Sequence, residues 1–244
     1  MRTAEPSLAD AANSPWDVII IGGGVAGGSA ACRCADAGLR TLLVERSAMP
    51  RSKVCGCCLT PAGVASLERA NLSPVLDGSP TLTRMTLRFG PREARFSIPP
   101  YRVVSRESMD ARLLKAAAAR GVRVVTRIAA RVTADHDVRL TRDGESIDCR
   151  TKVILACDGL AGTSLRDLTE FEWTIAPASR MGLGANLPAD AADLLEGELR
   201  MLCGPAGYLG LVRIADGSID AAAAIDPGVV RLAASAGKIG RAHV

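Results

Sequence analysis

Short apolar runs, each ending in a glycine-rich or polar segment, set the pattern of the first half of the chain. Residues 18–21 and 152–156 are typical of strands buried on both faces of a parallel sheet, and a third strand is predicted over 41–44. Helices are predicted over 60–71 and 105–121, because each segment combines a capping residue with apolar positions at helical spacing. This order of strands and helices predicts an α/β domain with a parallel sheet.

The second half of the chain changes to short alternating segments. Strands separated by turns that contain glycine and proline are predicted at 180–187, 198–203, 208–214 and 218–225. Helical spacing there is confined to 189–195. Two more strands, 83–89 and 93–98, flank a Gly90–Pro91 turn and are expected to join the same sheet, while Asp143–Gly144 marks a separate hairpin. The pattern predicts a mostly antiparallel, β-rich second domain that interrupts the first.

The loop after the first strand carries glycines at the spacing of a dinucleotide-binding turn. Gly22 allows the tight turn, Gly24 lets backbone amides approach a pyrophosphate, and Gly27 lets the following helix pack closely. Glu45 ends the next strand, eighteen positions after Gly27, where it can accept hydrogen bonds from a ribose hydroxyl. Because strand, turn, helix, strand and terminal acid occur in register, this segment predicts a nucleotide cofactor.

Composition and charge exclude several classes of protein. The chain has 244 residues and a net charge of +4, and its basic residues form no block with interleaved aromatic residues, so nucleic-acid binding is not expected. The first fourteen residues contain Glu5 and Asp10 and no apolar core of a signal peptide, so they are predicted to be a disordered lead-in. No run reaches the length of a membrane span, and a cytoplasmic protein is expected.

Eight cysteines raise the question of metal or disulfide chemistry. Cys55, Cys57 and Cys58 cluster in one loop, but adjacent cysteines are poor partners for one tetrahedral zinc ion, and no second Cys/His pair completes the set. No metal site is therefore expected. Without an export signal, a disulfide framework is not expected either.

Three ordered stretches of the sequence resemble the FAD-dependent oxidoreductases of the aromatic-hydroxylase and geranylgeranyl-reductase superfamily. They are GGGVAGG with Glu45, SRESMDARLLKAAAARGV at 105–122, and VILACDGLAGTSLR at 153–166. The resemblance implies that Arg106 reaches the flavin nucleotide and that Asp158 and Gly159 lie near its pyrophosphate. Without this context, a plain turn after a strand is the favoured interpretation of Asp158–Gly159.

The loop PRSKVCGCCLTPAGVASL resembles the segment of the geranylgeranyl-reductase branch that passes along the flavin. By that resemblance Cys55 and Gly56 contact FAD, and Cys55 is the candidate catalytic residue facing the substrate cavity. The alternative is that Cys55 is simply a small residue that fits a tight loop. Ala130 is expected to touch the adenine through its backbone, as the matching strand does in the superfamily.

The resemblance implies a flavoenzyme built from a Rossmann-like FAD-binding α/β domain and the β-rich substrate domain. The residues assigned to the cofactor are Gly22, Gly24, Ala26, Gly27, Glu45, Arg46, Cys55, Gly56, Arg106, Ala130, Asp158 and Gly159. The expected function is transfer of electrons through FAD to a carbon–carbon double bond of a small organic substrate, with NAD(P)H as the electron donor. A flavin-dependent monooxygenase and a non-catalytic nucleotide-binding fragment are the alternatives. A lipid substrate would allow peripheral contact with a membrane.

The FAD-binding domain is predicted over 15–80 and 101–175, and an incomplete substrate domain over 81–100 and 176–237. The last seven residues, KIGRAHV, match the in-frame translation of a common sequencing adapter, so 238–244 are predicted to be non-native. The sequence also departs from the pattern of the superfamily in two places. Tyr208 stands without the Trp and Phe that usually follow it, and no Gly-Asp-Ala segment is found, which is the pattern expected of a C-terminally truncated chain.

Overall fold

A computed structural model describes residues 15–160, 162–172 and 174–235, together with Leu8 and Ala11. Within this part of the chain the helices are α1 Val25–Asp36, α2 Pro61–Arg69, α3 Arg106–Ala119 and α4 Pro227–Ser235. The strands are β1 Trp16–Ile21, β2 Thr41–Glu45, β3 Cys58–Leu59, β4 Thr81–Phe89, β5 Arg92–Val103, β6 Arg123–Thr126, β7 Ala129–Val132, β8 Val138–Arg142, β9 Glu145–Cys149, β10 Thr151–Ala156, β11 Met181–Leu187, β12 Glu198–Gly204, β13 Gly207–Arg213 and β14 Ile219–Ile225. Short 3₁₀ turns lie at Ser73–Leu76, Thr163–Leu165 and Thr169–Phe171.

These elements divide between two compact units. The first unit contains the described residues of Met1–Arg51, Ala70–Val75 and Glu107–Thr174, and the second contains those of Ser52–Arg69, Leu76–Arg106 and Ile175–Val244. Residues 52–69 belong to the second unit because β3 pairs with β5 there. The sequence predicts that residues 52–69 belong to the FAD-binding domain, so the two groupings differ for this segment. The predicted domain boundaries stay a prediction.

The first unit is built on a four-stranded parallel sheet in the order β10-β1-β2-β6. Ile19, Ile20, Leu42 and Leu43 on its two central strands are fully buried, as continuous apolar runs in a parallel sheet require. Helix α1 packs on this sheet and also against α3, where a Cβ at Gly28 would lie 2.8 Å from that of Leu113. The strands that end at the glycine turn are therefore held in a rigid, apolar layer.

A three-stranded antiparallel sheet, β7-β8-β9, completes the first unit. Its tight turn has positive φ values of 51° at Asp143 and 87° at Gly144, which the predicted hairpin at this dipeptide requires. Ala11 is fully buried against the same core, and Leu8 packs on it, while the disordered lead-in over 1–14 stays a prediction. The other twelve residues of the predicted lead-in, and the predicted tail at 238–244, lie outside the described residues.

The second unit is one seven-stranded sheet in the order β11-β14-β13-β12-β4-β5-β3. All its pairs are antiparallel except β12 with β4. One face buries Leu194, Leu211 and Ile219, and the other buries a cluster that includes Val212 and Cys57. The predicted β-rich architecture is thus present, and the strands predicted at 83–89 and 93–98 lie within its two long strands, β4 and β5.

The helical spacing at 189–195 does not produce a helix in the structure. The segment forms turns, because the guanidinium of Arg213 donates hydrogen bonds to the carbonyl oxygens of Ala189 and Leu194 at 3.2 and 3.0 Å. A carboxylate oxygen of Glu198 accepts a further bond from the backbone N–H of Leu195. Within the described part of the chain, no helix is long and apolar enough to cross a membrane.

Candidate functional site

The glycine turn of the first unit is pinned between two strand ends. The N–H of Gly22 donates to the carbonyl oxygen of Val44 at 2.8 Å, and the N–H of Cys157 donates to that of Ile21 at 2.7 Å. Gly22 has φ of 109°, and a Cβ there would collide with the carbonyl oxygen of Cys157. Only glycine meets both the backbone conformation and the close approach at this position.

Helix α1 begins directly at this turn and presents an open N-terminus. A Cβ at Gly27 would overlap the carbonyl oxygen of Gly22, so the absence of a side chain lets the helix lie against the turn. Gly24, the N-cap residue, provides no side-chain hydrogen bond, and the first turn of the helix contains no acidic residue. The free N–H groups and the positive end of the helix dipole are a suitable site for a phosphate group.

Glu45 is buried at the end of β2, and its carboxylate holds the glycine turn. One oxygen accepts a hydrogen bond from the N–H of Gly23 at 2.7 Å, and the other accepts one from the N–H of Ser47 at 2.8 Å. The Nε of Arg51 lies 3.5 Å from Glu45 and is buried without a hydrogen-bond partner. Each carboxylate oxygen can accept a second bond, so the predicted ribose contact is compatible with this arrangement.

Asp158 lies beside the glycine turn, although 136 positions separate it from Gly22 in the sequence. A Cβ at Gly22 would be 2.9 Å from the Cα of Asp158. The Asp158 carboxylate accepts hydrogen bonds from the N–H of Ser164 at 2.8 Å and the hydroxyl of Thr163 at 3.3 Å. The Ser164 hydroxyl is buried without a partner, and Gly159 has φ of 82°.

An Asp158→Ala variant is expected to lower the free energy of unfolding by about 1–2 kcal/mol, because the N–H of Ser164 would lose its acceptor. The measurement is urea unfolding followed by circular dichroism. Asp135→Ala is the matched control, since Asp135 is exposed in the turn between β7 and β8. Equal stability of the two variants would contradict the role of Asp158 in this turn.

The remaining predicted cofactor residues of the first unit are Ala26, Arg46 and Ala130. Ala26 is exposed in the first turn of α1, and Arg46 is exposed directly after β2. Ala130 lies in β7. The segment just before β7 is held at the end of β2, because the N–H of Ile128 donates to the carbonyl oxygen of Glu45 at 3.2 Å. The Ala130 side chain packs on the core of this unit.

The glycine cradle and its surroundings fit the nucleotide half of FAD. The cradle leaves no room for a Cβ, and the helix N-terminus lacks a side-chain cap. Two buried polar atoms, Arg51 Nε and Ser164 Oγ, have no hydrogen-bond partner. Each of these atoms could hydrogen bond to a nucleotide. The first unit therefore offers donors for a pyrophosphate and an acid for a ribose.

The second unit holds the other three predicted residues, Cys55, Gly56 and Arg106. Val54 lies on β11, with its side chain 3.4 Å from a Cβ position at Gly184, and Gly56 lies over Ala222 of β14 at 3.9 Å. Cys55 is half-buried in this loop, and Arg106 is the first residue of α3. The loop thus lies on a part of the sheet where small residues leave space for it.

Two further cysteines and one acid of the second unit form a buried group that the sequence did not reveal. The carbonyl oxygen of Cys57 accepts a bond from the N–H of Val104 at 2.9 Å, which holds the cysteine over the sheet. Burial raises the pKa of the Cys57 thiol strongly and that of Cys58 to about 12. Burial also raises the pKa of Asp220 to about 6, although a hydrogen bond with Cys57 partly opposes this. The alternation of residues along β14 predicts which of them share a sheet face with Asp220. It does not predict which of the two faces is buried.

Cys58 is expected to resist alkylation by iodoacetamide at pH 8 in the folded protein. A thiol with a pKa of about 12 has about a thousandth of the thiolate of one at the ordinary value of 9.0. Mass spectrometry of peptides from folded and urea-unfolded protein measures the ratio of the two rates. Equal rates for Cys58 in both states would show that the thiol is not protected.

Metal binding finds no support in the described ranges, where no three His, Cys, Asp or Glu side chains are grouped as ligands. This statement includes the Cys55, Cys57 and Cys58 cluster.

Comparison with known sequences identifies relatives over the first two thirds of the chain. A family model described as "Lycopene cyclase protein" matches residues 17–169. Menaquinone reductase of Mycobacterium tuberculosis is 34% identical over 152 residues, which cover 57% of this chain and 36% of that protein. Menaquinone reductase of Mycolicibacterium smegmatis is 42% identical over 65 residues, which cover 27% and 16% of the two chains. The matched part is about a third or less of each curated relative.

Solved structures share the fold over most of the chain. A geranylgeranyl bacteriochlorophyll reductase-like protein from Thermoplasma acidophilum superposes with a TM-score of 0.76 at 22% identity, covering 88% of this chain and 58% of its own. A flavoprotein/dehydrogenase from Cytophaga hutchinsonii gives 0.75 at 19% identity, covering 88% and 57%. The FAD-dependent chondrochloren halogenase, which is myxobacterial, gives 0.75 at 22% identity, covering 90% and 55%. The predicted fold class, a Rossmann-like α/β domain with a β-rich second domain, is confirmed.

Proposed function

Because this chain belongs to the lycopene cyclase protein family, we propose that it binds FAD and passes electrons through it to a carbon–carbon double bond of an isoprenoid lipid quinone. The family match and the flavoenzyme folds confirm the superfamily that the sequence motifs predicted. NAD(P)H is the proposed electron donor. The chain spans 58% or less of the length of each relative described above. The activity of the whole protein is therefore proposed.

In this proposal the first unit binds the nucleotide half of FAD. The N-terminus of α1 and the amides of the Gly22 turn would hold the pyrophosphate, and Glu45 would accept bonds from the ribose. Asp158 shapes the neighbouring turn, while Ala26, Arg46, Ala130 and Gly159 complete the set in this unit. Bound FAD would supply hydride chemistry, for which the protein provides position and exclusion of water.

Cys55, Gly56 and Arg106 are the proposed contacts of the second unit with the cofactor. Cys55 is half-buried, and the loop that carries it lies on the small residues of β11 and β14. A thiol held in this way could contact either the flavin or the substrate, which keeps Cys55 as the candidate catalytic residue.

An apolar face of the seven-stranded sheet, covered by the Val54–Gly56 loop at one end and exposed at Phe89 and Tyr208, is the observation that carries the substrate class. We define the apolar face as two rows of residues that follow each other across the paired strands: Gly184, Ala222, Gly210, Met201 and Leu87, then Gly182, Ala224, Tyr208, Cys203 and Phe89. The side chains of Phe89 and Tyr208 are 55% and 42% exposed. An apolar surface of this kind suits an isoprenoid chain, and a lipid substrate would bring the protein into peripheral contact with a membrane.

Anaerobic reoxidation of the flavin by a quinone tests this proposal. The purified chain is reconstituted with FAD, reduced with dithionite without excess, and mixed with a short-chain menaquinone in detergent under argon. The expected result is a return of the oxidised flavin spectrum and a product whose mass is two hydrogens greater in its isoprenoid chain. Failure to bind FAD would overturn the proposal, and binding without reoxidation would support a non-catalytic nucleotide-binding protein.

A flavin-dependent monooxygenase is the second candidate, because the fold is shared with a halogenase that is FAD-dependent. The same experiment distinguishes the two reactions when oxygen is admitted. A product that gains one oxygen atom, formed only in air, would favour hydroxylation over reduction.

A further inference from the structure

Asp220 is a buried carboxyl group for which the fold provides little compensation. It lies in β14 and is 9% exposed, and its Oδ2 has no hydrogen-bond partner. Burial raises the pKa of this carboxyl group, and a hydrogen bond with Cys57 acts in the opposite direction. An unpaired polar atom inside a sheet lowers stability, so its presence points to a function rather than to packing.

The position of Asp220 places it at one end of the apolar face. In the sheet it pairs with Asn186 of β11 and Val212 of β13, which form the row next to Gly184, Ala222 and Gly210. Alternation directs its side chain to the face of Val212, away from the buried Ile219 and Ala221. Ala224 lies four positions after Asp220 in β14, which is a length of about 13 Å along the strand.

The loop that carries the cysteines covers this end of the sheet. Gly56 lies over Ala222, two residues after Asp220, and the Cys57 thiol lies against the Asp220 carboxyl group. The titratable groups brought to Asp220 are therefore thiols, those of Cys57 and Cys58, with Cys55 next to them. Its neighbours in the sheet, Asn186 and Val212, carry no charge.

We propose that Asp220 is the proton donor for the substrate that the apolar face holds. This inference rests on the proposed function and names the acid that the reduction requires. An isolated carbon–carbon double bond needs both a hydride and a proton, because it carries no group that stabilises negative charge. The Asp220 O–H bond would break as a C–H bond forms at one carbon, and bound reduced FAD would supply the hydride for the other carbon. The carboxylate then regains a proton from water, so the substrate gains two electrons and two protons in total.

Burial makes this carboxyl group a suitable acid. With its pKa raised from 3.8 to about 6, Asp220 keeps its proton over a range in which exposed aspartates have lost theirs. The uncharged thiols around it stabilise the carboxylate only weakly. The carboxyl group is therefore about half protonated at pH 6, and the protonated fraction falls as pH rises above that value.

The test uses Asp220→Asn, which keeps the shape of the side chain but removes the proton. In the anaerobic reoxidation with short-chain menaquinone, the variant is expected to bind FAD normally and to reoxidise about 10²–10⁴-fold more slowly. The wild-type rate is expected to fall about tenfold per pH unit above pH 6, whereas the variant rate is flat. Asp190→Asn, at an exposed turn of the same unit, is the matched control and should behave as wild type. Asp220→Glu should recover part of the rate.

The unfolding temperature of the protein without FAD provides a readout that does not depend on turnover. The pKa of Asp220 is higher in the folded state than in the unfolded state, so its contribution to stability is full below pH 3.8 and is lost as pH rises through 6. Asp220→Asn removes this loss and should therefore melt at a higher temperature than wild type above pH 6, with little difference near pH 4. A variant that is more stable but slower has the signature of a functional acid.

Each outcome decides a separate claim. Unchanged reoxidation by Asp220→Asn would overturn the inference while leaving the proposed function intact. If wild type binds FAD but is not reoxidised by menaquinone, the proposed function fails, and with it the role of Asp220 as donor to that substrate. Identical pH dependence of unfolding in the two proteins would overturn the claim that Asp220 holds a proton.

Discussion

A Gly27→Ala variant is expected to lose FAD binding and about 3 kcal/mol of stability. The added methyl group would overlap the carbonyl oxygen of Gly22, and a backbone oxygen at the centre of a turn has no flexible end that can move away. Overpacking of this kind costs about 1–3 kcal/mol, and moving α1 away from the turn would also displace the amides that face the pyrophosphate. A loss of about 3 kcal/mol in binding alone is about a hundredfold in affinity.

Fluorescence titration with FAD and urea unfolding measure the two effects of Gly27→Ala separately. Gly204→Ala is the matched control, because a Cβ there meets no atom within 4 Å. If Gly27→Ala bound FAD as tightly as Gly204→Ala, the close packing of α1 on the turn would not be needed for cofactor binding.

A Glu45→Ala variant is expected to weaken FAD binding about a hundredfold and to lower stability by about 2–4 kcal/mol. The substitution removes the acceptors of two backbone N–H groups, those of Gly23 and Ser47, and each unsatisfied buried donor costs about 1–3 kcal/mol. It also removes the proposed ribose acceptor and leaves Arg51 without its nearby carboxylate. Both consequences act on the same turn.

A Glu45→Gln variant separates the two roles of this side chain. The amide oxygen can still accept one of the two backbone bonds, so stability should be intermediate, while its NH₂ group faces an N–H donor instead of accepting from it. Glu170→Ala, at an exposed position of the same unit, is the control for the loss of a negative charge. A normal FAD affinity in Glu45→Ala would contradict the assignment of Glu45 to the cofactor.

The nucleotide-binding part of the first unit could be predicted from sequence because its constraints are local. Gly22, Gly24 and Gly27 follow a buried strand within a few residues, so the turn, the helix start and the close packing are all encoded in one segment. The hydrogen bond from Gly23 to Glu45 could not be predicted in the same way. It joins residues 22 positions apart and depends on the pairing of β1 with β2.

The candidate site in the second unit was less predictable from sequence, because the burial of its side chains depends on which face of the sheet a loop covers. Alternation identified β14 but not the burial of Asp220, which is set by the loop at Cys57. The helical spacing at 189–195 does not form a helix, because Arg213, eighteen residues later, donates hydrogen bonds to carbonyl oxygens that a helix would use. Interactions between distant segments overrode local preference in both cases.

The position of β10 in the parallel sheet has a consequence for synthesis on the ribosome. Strand β1 lies between β2 and β10, yet 129 residues separate the end of β1 from the start of β10. Until β10 emerges, β1 is an edge strand of continuous apolar residues, which is the kind of edge that pairs with other chains. Nascent chains that stall before residue 151 should therefore be targets for chaperones, and pairing across so many residues should make folding slow.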